Sequence, residues 1–530
     1  MEDTYSPAIT LQGFSFQYAG AKEQALREMD IKVERGEMVL LCGSTGSGKS
    51  TLLRCLKREL APHGQRSGTI LFGGREQCKL EPLEAAGRIG FVLQDPDNGI
   101  VTDTVWHELA FGLENLGLPT AVIRRRVAET AHFFGIAPWY RRRVHELSGG
   151  QKQILNLASI MAMQPEILLL DEPTAQLDPI AAGEFLQALG RIHRELGVTV
   201  ILCEHRMEEI LPMVDSVLYL EAGRAAFRGT PRGFAEFVLA APSHPFIPAL
   251  PAACRLPGGR PLITVAQGRE WIGENACKLA CRKSVTDPVP GEPVLSAKEL
   301  WFQYDKGQPY VLRGVELALH RGEILALVGG NGSGKSTALS VLCGLQRPVR
   351  GRIKRAKGSR VALLVQRPRA LFTCDTLRED LMACATDEKA MLAQAGYFGL
   401  TRLLAHHPYD LSGGEMQKAA LCKLLLTEPD ILLLDEPTKG LDAFAKAEIA
   451  ALLRRLAGAG KAILLVTHDL EFAAANAHRC AMLFDGEVLC TQAAHAFFLG
   501  NMFYTTAVSR MTRGLVEGCV VEEDILWNGR

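Results

Sequence analysis

Two nine-residue strings carry the first chemistry in this chain: "GSTGSGKST" from Gly43 to Thr51 and "GGNGSGKST" from Gly329 to Thr337. Each follows an apolar run, "MVLLC" or "ILALV", and opens another, so it reads as a strand, a glycine turn and a helix. Gly43, Gly46 and Gly48, with Gly329, Gly332 and Gly334, let successive backbone N–H groups converge on phosphate oxygens at a helix N-terminus. Lys49 and Lys335 then suit the β- and γ-phosphates, Ser50 and Ser336 offer hydroxyls to magnesium, and Thr51 and Thr337 complete the strings. A glycine turn alone can be only a tight turn. The full string twice, in the same context, points to nucleotide binding.

Further along, "ILLLDEP" occurs twice. Four apolar residues make a buried parallel strand that delivers two carboxylates at its end. Asp171 and Asp435 suit magnesium, while Glu172 and Glu436 suit orienting and deprotonating an attacking water. His205 and His468 each end the next apolar run, where an imidazole can reach a γ-phosphate, and Gln94 and Gln366 end "IGFVLQ" and "VALLVQ", where an amide can hold magnesium or a water. Ser148, Gly149 and Gly150 in "LSGGQ", and Ser412, Gly413 and Gly414 in "LSGGE", each precede a long helical run. They form a second anion-attracting helix start.

The elements that position these groups are themselves duplicated. The same strings recur in the same order, so the chain is a tandem repeat. The second copy is shorter between lysine and aspartate, a shortening expected in peripheral segments. With 530 residues, two domains are expected: residues 6–238 and 293–500, a proline-rich linker over 239–292 and a tail over 501–530. A spacer is expected for most of the linker, with "FIPALPAACRL" docked on a domain surface; the tail has no legible role. Lys plus Arg equals Asp plus Glu at 59 each, so no bulk attraction to nucleic acid or an anionic surface is expected. The 14 cysteines are scattered without a zinc-like arrangement, which suits reduced, buried thiols in the cytosol. No apolar run is long enough to span a membrane, and the N-terminus does not read as a secretion signal.

In this combination and order the chain resembles a pair of fused ATP-binding cassettes of the ABC superfamily. The resemblance covers nearly everything but linker and tail. It implies an α/β fold with two P-loop NTPase domains in tandem, each having an α/β core, an antiparallel β subdomain and a helical subdomain carrying "LSGG". It also implies head-to-tail pairing of the halves around ATP, with Tyr18 and Tyr304 stacking on adenine. Lys49, Ser50, Gln94, Asp171, Glu172 and His205 would then face Ser412, Gly413 and Gly414; Lys335, Ser336, Gln366, Asp435, Glu436 and His468 would face Ser148, Gly149 and Gly150. Two competent sites are expected, Glu415 in place of the usual glutamine being a mild departure.

Within the superfamily, "QDPDNGIVTDTVWHELAFGLENLGL", "CEHRMEEI" and "GTPRGFAEF" are similar to the ATPases of energy-coupling factor importers. That group implies docking on the cytoplasmic face of a prokaryotic membrane, beneath a transmembrane coupling subunit that joins a small substrate-capturing membrane subunit. Uptake of a vitamin or transition-metal ion is implied, and no nucleic acid. A soluble tandem cassette acting on the ribosome is the alternative, against which the proline-rich, weakly charged linker counts. In the segment after the glutamine, Asp95, Asp97 and Asn98 face Arg367, Arg369 and Ala370 of the other copy. That reversal suits one asymmetric partner meeting both halves.

Overall fold

Apolar runs without polar alternation, such as "MVLLCG" and "ILLLD", cannot lie on a sheet with one wet face; they need cover on both sides. The computed structural model, which describes residues 6–282 and 292–528, places them so: Met38–Gly43, Ile167–Asp171 and Ile431–Asp435 are buried throughout. The chain divides into two compact units, one ending at Cys254 but including Gly259–Thr264, the other comprising Arg255–Gly258 and the chain from Val265 onward.

In the first unit a six-stranded sheet runs Ile89–Val92, Ile167–Asp171, Thr199–Cys203, Met38–Gly43, Ser216–Glu221, Arg224–Gly229. All neighbours are parallel except the last pair. The second unit repeats this order with Val361–Leu364, Ile431–Asp435, Ala462–Val466, Ile324–Val328, Arg479–Phe484 and Glu487–Ala493. An open parallel sheet of this kind receives ligands at the carboxyl ends of its strands. The phosphate loops, carboxylates and histidines all follow those ends. Each unit is therefore a P-loop α/β core, and each adds an antiparallel sheet and a helical group. Val105–Asn115, Thr120–Phe133 and Gly149–Ala162 share a core of Val105, Leu109, Leu113, Val127 and Leu155.

Most of the repeat shortening lies at the edge of the antiparallel sheet, and the remainder in the shorter helical group. In the first antiparallel sheet the strand Gly64–Phe72 is covered by Arg75–Glu76, which pairs with Leu71 and Phe72, and the helix Pro82–Arg88 follows. Among the described residues the second has only Leu312–His320, Pro293–Phe302 and Arg350–Arg355, which leaves Arg350–Arg355 at the edge. Its Arg350, Arg352 and Lys354 are exposed. A charged edge strand resists pairing with another chain, which a covered strand need not do.

The stretch expected to be mostly spacer is folded. Phe246, Leu250 and Cys254 enter the core of the first unit, Phe246 lying edge-on to Tyr219 at 5.3 Å. Val265–Asn275 is a helix, and Leu279–Cys281 pairs antiparallel with Ile525–Trp527 of the tail. Trp271 stacks on Trp527 at 5.8 Å, and Arg269 Nη1 donates to the carbonyls of Arg510, Met511 and Arg513. Linker and tail thus build one small layer of the second unit, because their apolar residues find each other. Linker residues 283–291 and tail residues 529–530 lie outside the described residues.

Candidate active site

The phosphate loop requires glycine at its entry. A Cβ on Gly43 would stand 2.3 Å from the Leu220 carbonyl oxygen and one on Gly329 2.2 Å from that of Leu483. Gly48 and Gly334, just before each helix, have φ near +102° and +103°. Gly46 and Gly332 are also left-handed at the loop tip. Lys49, only 6% exposed, donates through Nζ to the carbonyls of Gly43 and Ser44, both at 2.9 Å. Lys335 does the same to Gly329 at 2.9 Å and Gly330 at 2.8 Å. The ammonium closes its own loop, in the place where phosphate oxygens can take over its donors.

Ser50 Oγ donates to Asp171 Oδ1 at 2.9 Å, and Ser336 is likewise bonded to Asp435. Burial pushes both aspartates above the usual carboxylate range, opposed chiefly by those serine hydroxyls. A hydroxyl beside a desolvated carboxylate is a hard-oxygen pair that fits magnesium and would gain from its charge. Gln94 bonds through Nε2, which leaves its amide oxygen for such an ion. The donor set fits the metal. Tyr18 is tied through its hydroxyl to Thr51 Oγ1 at 2.8 Å and Tyr304 to Thr337 at 3.0 Å. Each ring is part exposed beside the start of the phosphate-loop helix. The rings present a face on which a flat ligand can stack.

Beyond the aspartates the two units diverge. Glu172 and Glu436 both have left-handed backbones, φ +48° and +52°, uncommon for a side chain of this size and typical of functional strand ends. Glu172 accepts from Gln94 Nε2 at 2.9 Å and sits 2.9 Å from His205 Nε2. Glutamine, glutamate and histidine are thus brought into one group. Glu436 is more enclosed: its Oε2 accepts from the His468 backbone at 3.3 Å, while Oε1, 3.3 Å from His468 Nε2, has no aligned hydrogen-bond partner among the described residues. Burial pushes Glu436 up to about 7, and the adjacent Asp435 adds to this.

The signature serines cap their helices through capping boxes, Ser148 with Gln151 and Ser412 with Glu415. The second cap carries a carboxylate: Ser412 Oγ donates to Glu415 Oε2 at 2.6 Å. Gly149 and Gly150, and Gly413 and Gly414, form the first turns.

Some residues of the site are not singled out by sequence. Glu204, 2% exposed, accepts from Thr174 N at 2.8 Å, from Thr174 Oγ1 at 2.6 Å and from the His205 backbone at 3.1 Å, fixing the histidine turn. Its counterpart is Thr467, so the repeat hides it. Lys152, Gln153 and Asn156 are polar on a helix otherwise read as apolar, and that break in pattern was their only signal.

Comparison with known proteins gives a consistent result. The model of the family described as ABC transporter matches residues 26–175 and again 312–439. A protein provisionally named as an ABC transporter ATP-binding protein, from Bacillus cereus, is 40% identical over 534 residues, spanning 97% of each chain. YkoD of Bacillus subtilis, provisionally named as an HMP/thiamine import ATP-binding protein, is 32% identical over 508 residues, with 91% of this chain and 92% of YkoD covered. Among solved structures, the archaeal ribosome recycling factor aABCE1, in complex with the stalk protein aP1, superposes with TM-score 0.59 over 94% of this chain and 92% of its own. At 19% identity that likeness concerns the fold alone.

Proposed function

We propose a transport role from a settled premise: the chain belongs to the ABC transporter family of ATP-binding proteins and is an ATPase. In our reading it is the motor of an importer of the energy-coupling factor type, driving uptake of a vitamin or transition-metal ion through separate membrane subunits. Each half binds ATP at its phosphate loop, and the two signatures complete the sites. Tyr18 and Tyr304 stack on adenine, and the loop amides with Lys49 and Lys335 hold the phosphates. Ser50, Asp171 and Gln94, and their counterparts Ser336, Asp435 and Gln366, hold magnesium, which when bound offsets phosphate charge. Glu172 and Glu436 orient and deprotonate water, and His205 and His468 link each glutamate to the γ-phosphate.

The observation that carries this reading is that lysine, serine–aspartate pair, glutamate and histidine gather at the carboxyl edge of both sheets, neither copy being degenerate. Likeness to YkoD across nearly the whole chain supports the importer class. No helix among the described residues is long and apolar enough to cross a membrane, so the transport path is assigned to other chains: a transmembrane coupling subunit and a small substrate-capturing subunit. Affinity purification of the native protein from detergent-solubilised membranes tests this. Recovery with small integral membrane proteins is expected; sedimentation with ribosomes and with no membrane subunit overturns it.

A further inference from the structure

The charge reversal after the glutamine has a structural counterpart on the signature helix. In the first unit three side chains of Gly149–Ala162 reach back to the residues on either side of Gln94. Lys152 Nζ meets Asp97 Oδ1 at 2.6 Å, Gln153 Nε2 donates to the Leu93 carbonyl at 3.1 Å, and Asn156 Nδ2 donates to that of Pro96 at 3.0 Å. Gln153 and Asn156 are 0% and 4% exposed, so these bonds are made away from competing water. Asp95 shapes the turn by accepting from Asp97 N at 3.1 Å, and a side chain at Gly99 would press on the Asn156 amide at 3.1 Å.

The second unit has none of the three bonds among the described residues. Aligning the signatures puts Met416, Gln417 and Ala420 at the three positions. Met416 is buried, Gln417 Nε2 is buried without a hydrogen-bond partner among the described residues, and the Ala420 side chain has nothing to donate. Arg369, opposite Asp97 in the repeat, lies over the Tyr409 ring at 5.9 Å. A tie is made later in the segment, where Lys423 Nζ donates to the Leu371 carbonyl and to Asp380 Oδ1, both at 2.6 Å.

We propose that Lys152, Gln153 and Asn156 are positioning residues that clamp the Gln94 segment to the signature helix in the first unit only. A displacement of Gln94 by nucleotide then carries the helix with it as one body. This rests on the proposed role of Gln94 at the nucleotide but not on the identity of any membrane partner.

Amide hydrogen exchange of the full chain tests the clamp, with ATP and magnesium added to a Glu172→Gln, Glu436→Gln background. Without nucleotide, residues 95–104 exchange more slowly than 367–376; with nucleotide, residues 95–104 and the signature helix change together. Lys152→Ala with Asn156→Ala raises exchange over 95–104 by about tenfold, the scale of one or two lost hydrogen bonds. In the otherwise native chain that pair lowers kcat several-fold while the ATP KM moves less than about twofold. Exchanging the charges, Asp97→Lys with Lys152→Asp, restores kcat. Grafting the clamp, Arg369→Asp with Met416→Lys and Ala420→Asn, slows exchange over 367–376 and gives a second reading independent of the first unit's folding. Equal exchange of the two segments in the native chain, or no change in the clamp variants, overturns the proposal. Neither result bears on whether the protein purifies with membrane subunits.

Discussion

The two units use the same residue types on the same sheet, yet their glutamates sit in different surroundings. Glu172 is held from both sides, by Gln94 and by His205, whereas Glu436 is deeper, faces His468 at a looser 3.3 Å and has one carboxylate oxygen without a hydrogen-bond partner among the described residues. A carboxylate that is desolvated and poorly bonded prefers its proton. The lesson is that repeating a motif repeats the reagents but not their surroundings. Acidity is set by what packs behind the strand end.

The largest effect comes from removing both reagents. Glu172→Gln with Glu436→Gln should lower ATP turnover by ~10²–10⁴ with ATP binding retained, measured by steady-state hydrolysis and by nucleotide binding; undiminished hydrolysis breaks the assignment of both glutamates. The single variants sharpen the contrast. With Glu172→Gln, kcat/KM for the hydrolysis left to Glu436 should rise as pH increases through about 7, where that base ionises in the nucleotide-free chain. Stability moves the other way. Between the ordinary value of 4.5 and about 7 the folded chain binds more protons at Glu436 than the unfolded chain does, so stability falls as pH rises through that window. Glu436→Gln removes the fall, worth at most ~3 kcal/mol for a shift of this size, and thermal melting of nucleotide-free protein from pH 5 to 8 reads it.

A smaller effect is expected at the signatures. The Glu415 carboxylate holds the Ser412 hydroxyl and puts a negative charge at the helix start proposed to receive a phosphate, unlike the neutral Gln151. Glu415→Gln should lower the ATP KM by roughly two- to fivefold, the scale of one exposed charge at a helix N-terminus, and an unchanged KM would mean the two caps are equivalent. The smallest effect on catalysis is expected at the uncovered edge strand. Arg352→Thr with Lys354→Val should leave hydrolysis unchanged while lowering the concentration at which the protein aggregates, seen by light scattering.

Much of this was legible in order and type. The glycine strings, the "ILLLDEP" strands and the histidines announced the α/β fold and the reagents, because a phosphate cradle and a doubly covered strand each allow few residue types. Repetition made the reading firm. It does not reach what the copies do not share. Asp97 reads as a surface charge free for a partner, yet it is paired with Lys152, a residue more than fifty positions away. The linker reads as a spacer because proline and low charge dominate it, and the partner that folds it, the tail with Trp527, stands at the far end of the chain.

By itself, then, the sequence determined which groups are present, in what order, and on which kind of element, since local spacing alone decides where a strand hands over to a glycine turn and a helix. Tertiary structure decided how each copy differs. Whether Glu436 holds its proton, whether the Gln94 segment is clamped to its helix and whether an edge strand is covered all depend on contacts between residues far apart in the chain. Those contacts set desolvation and hydrogen bonding, and no local pattern encodes them.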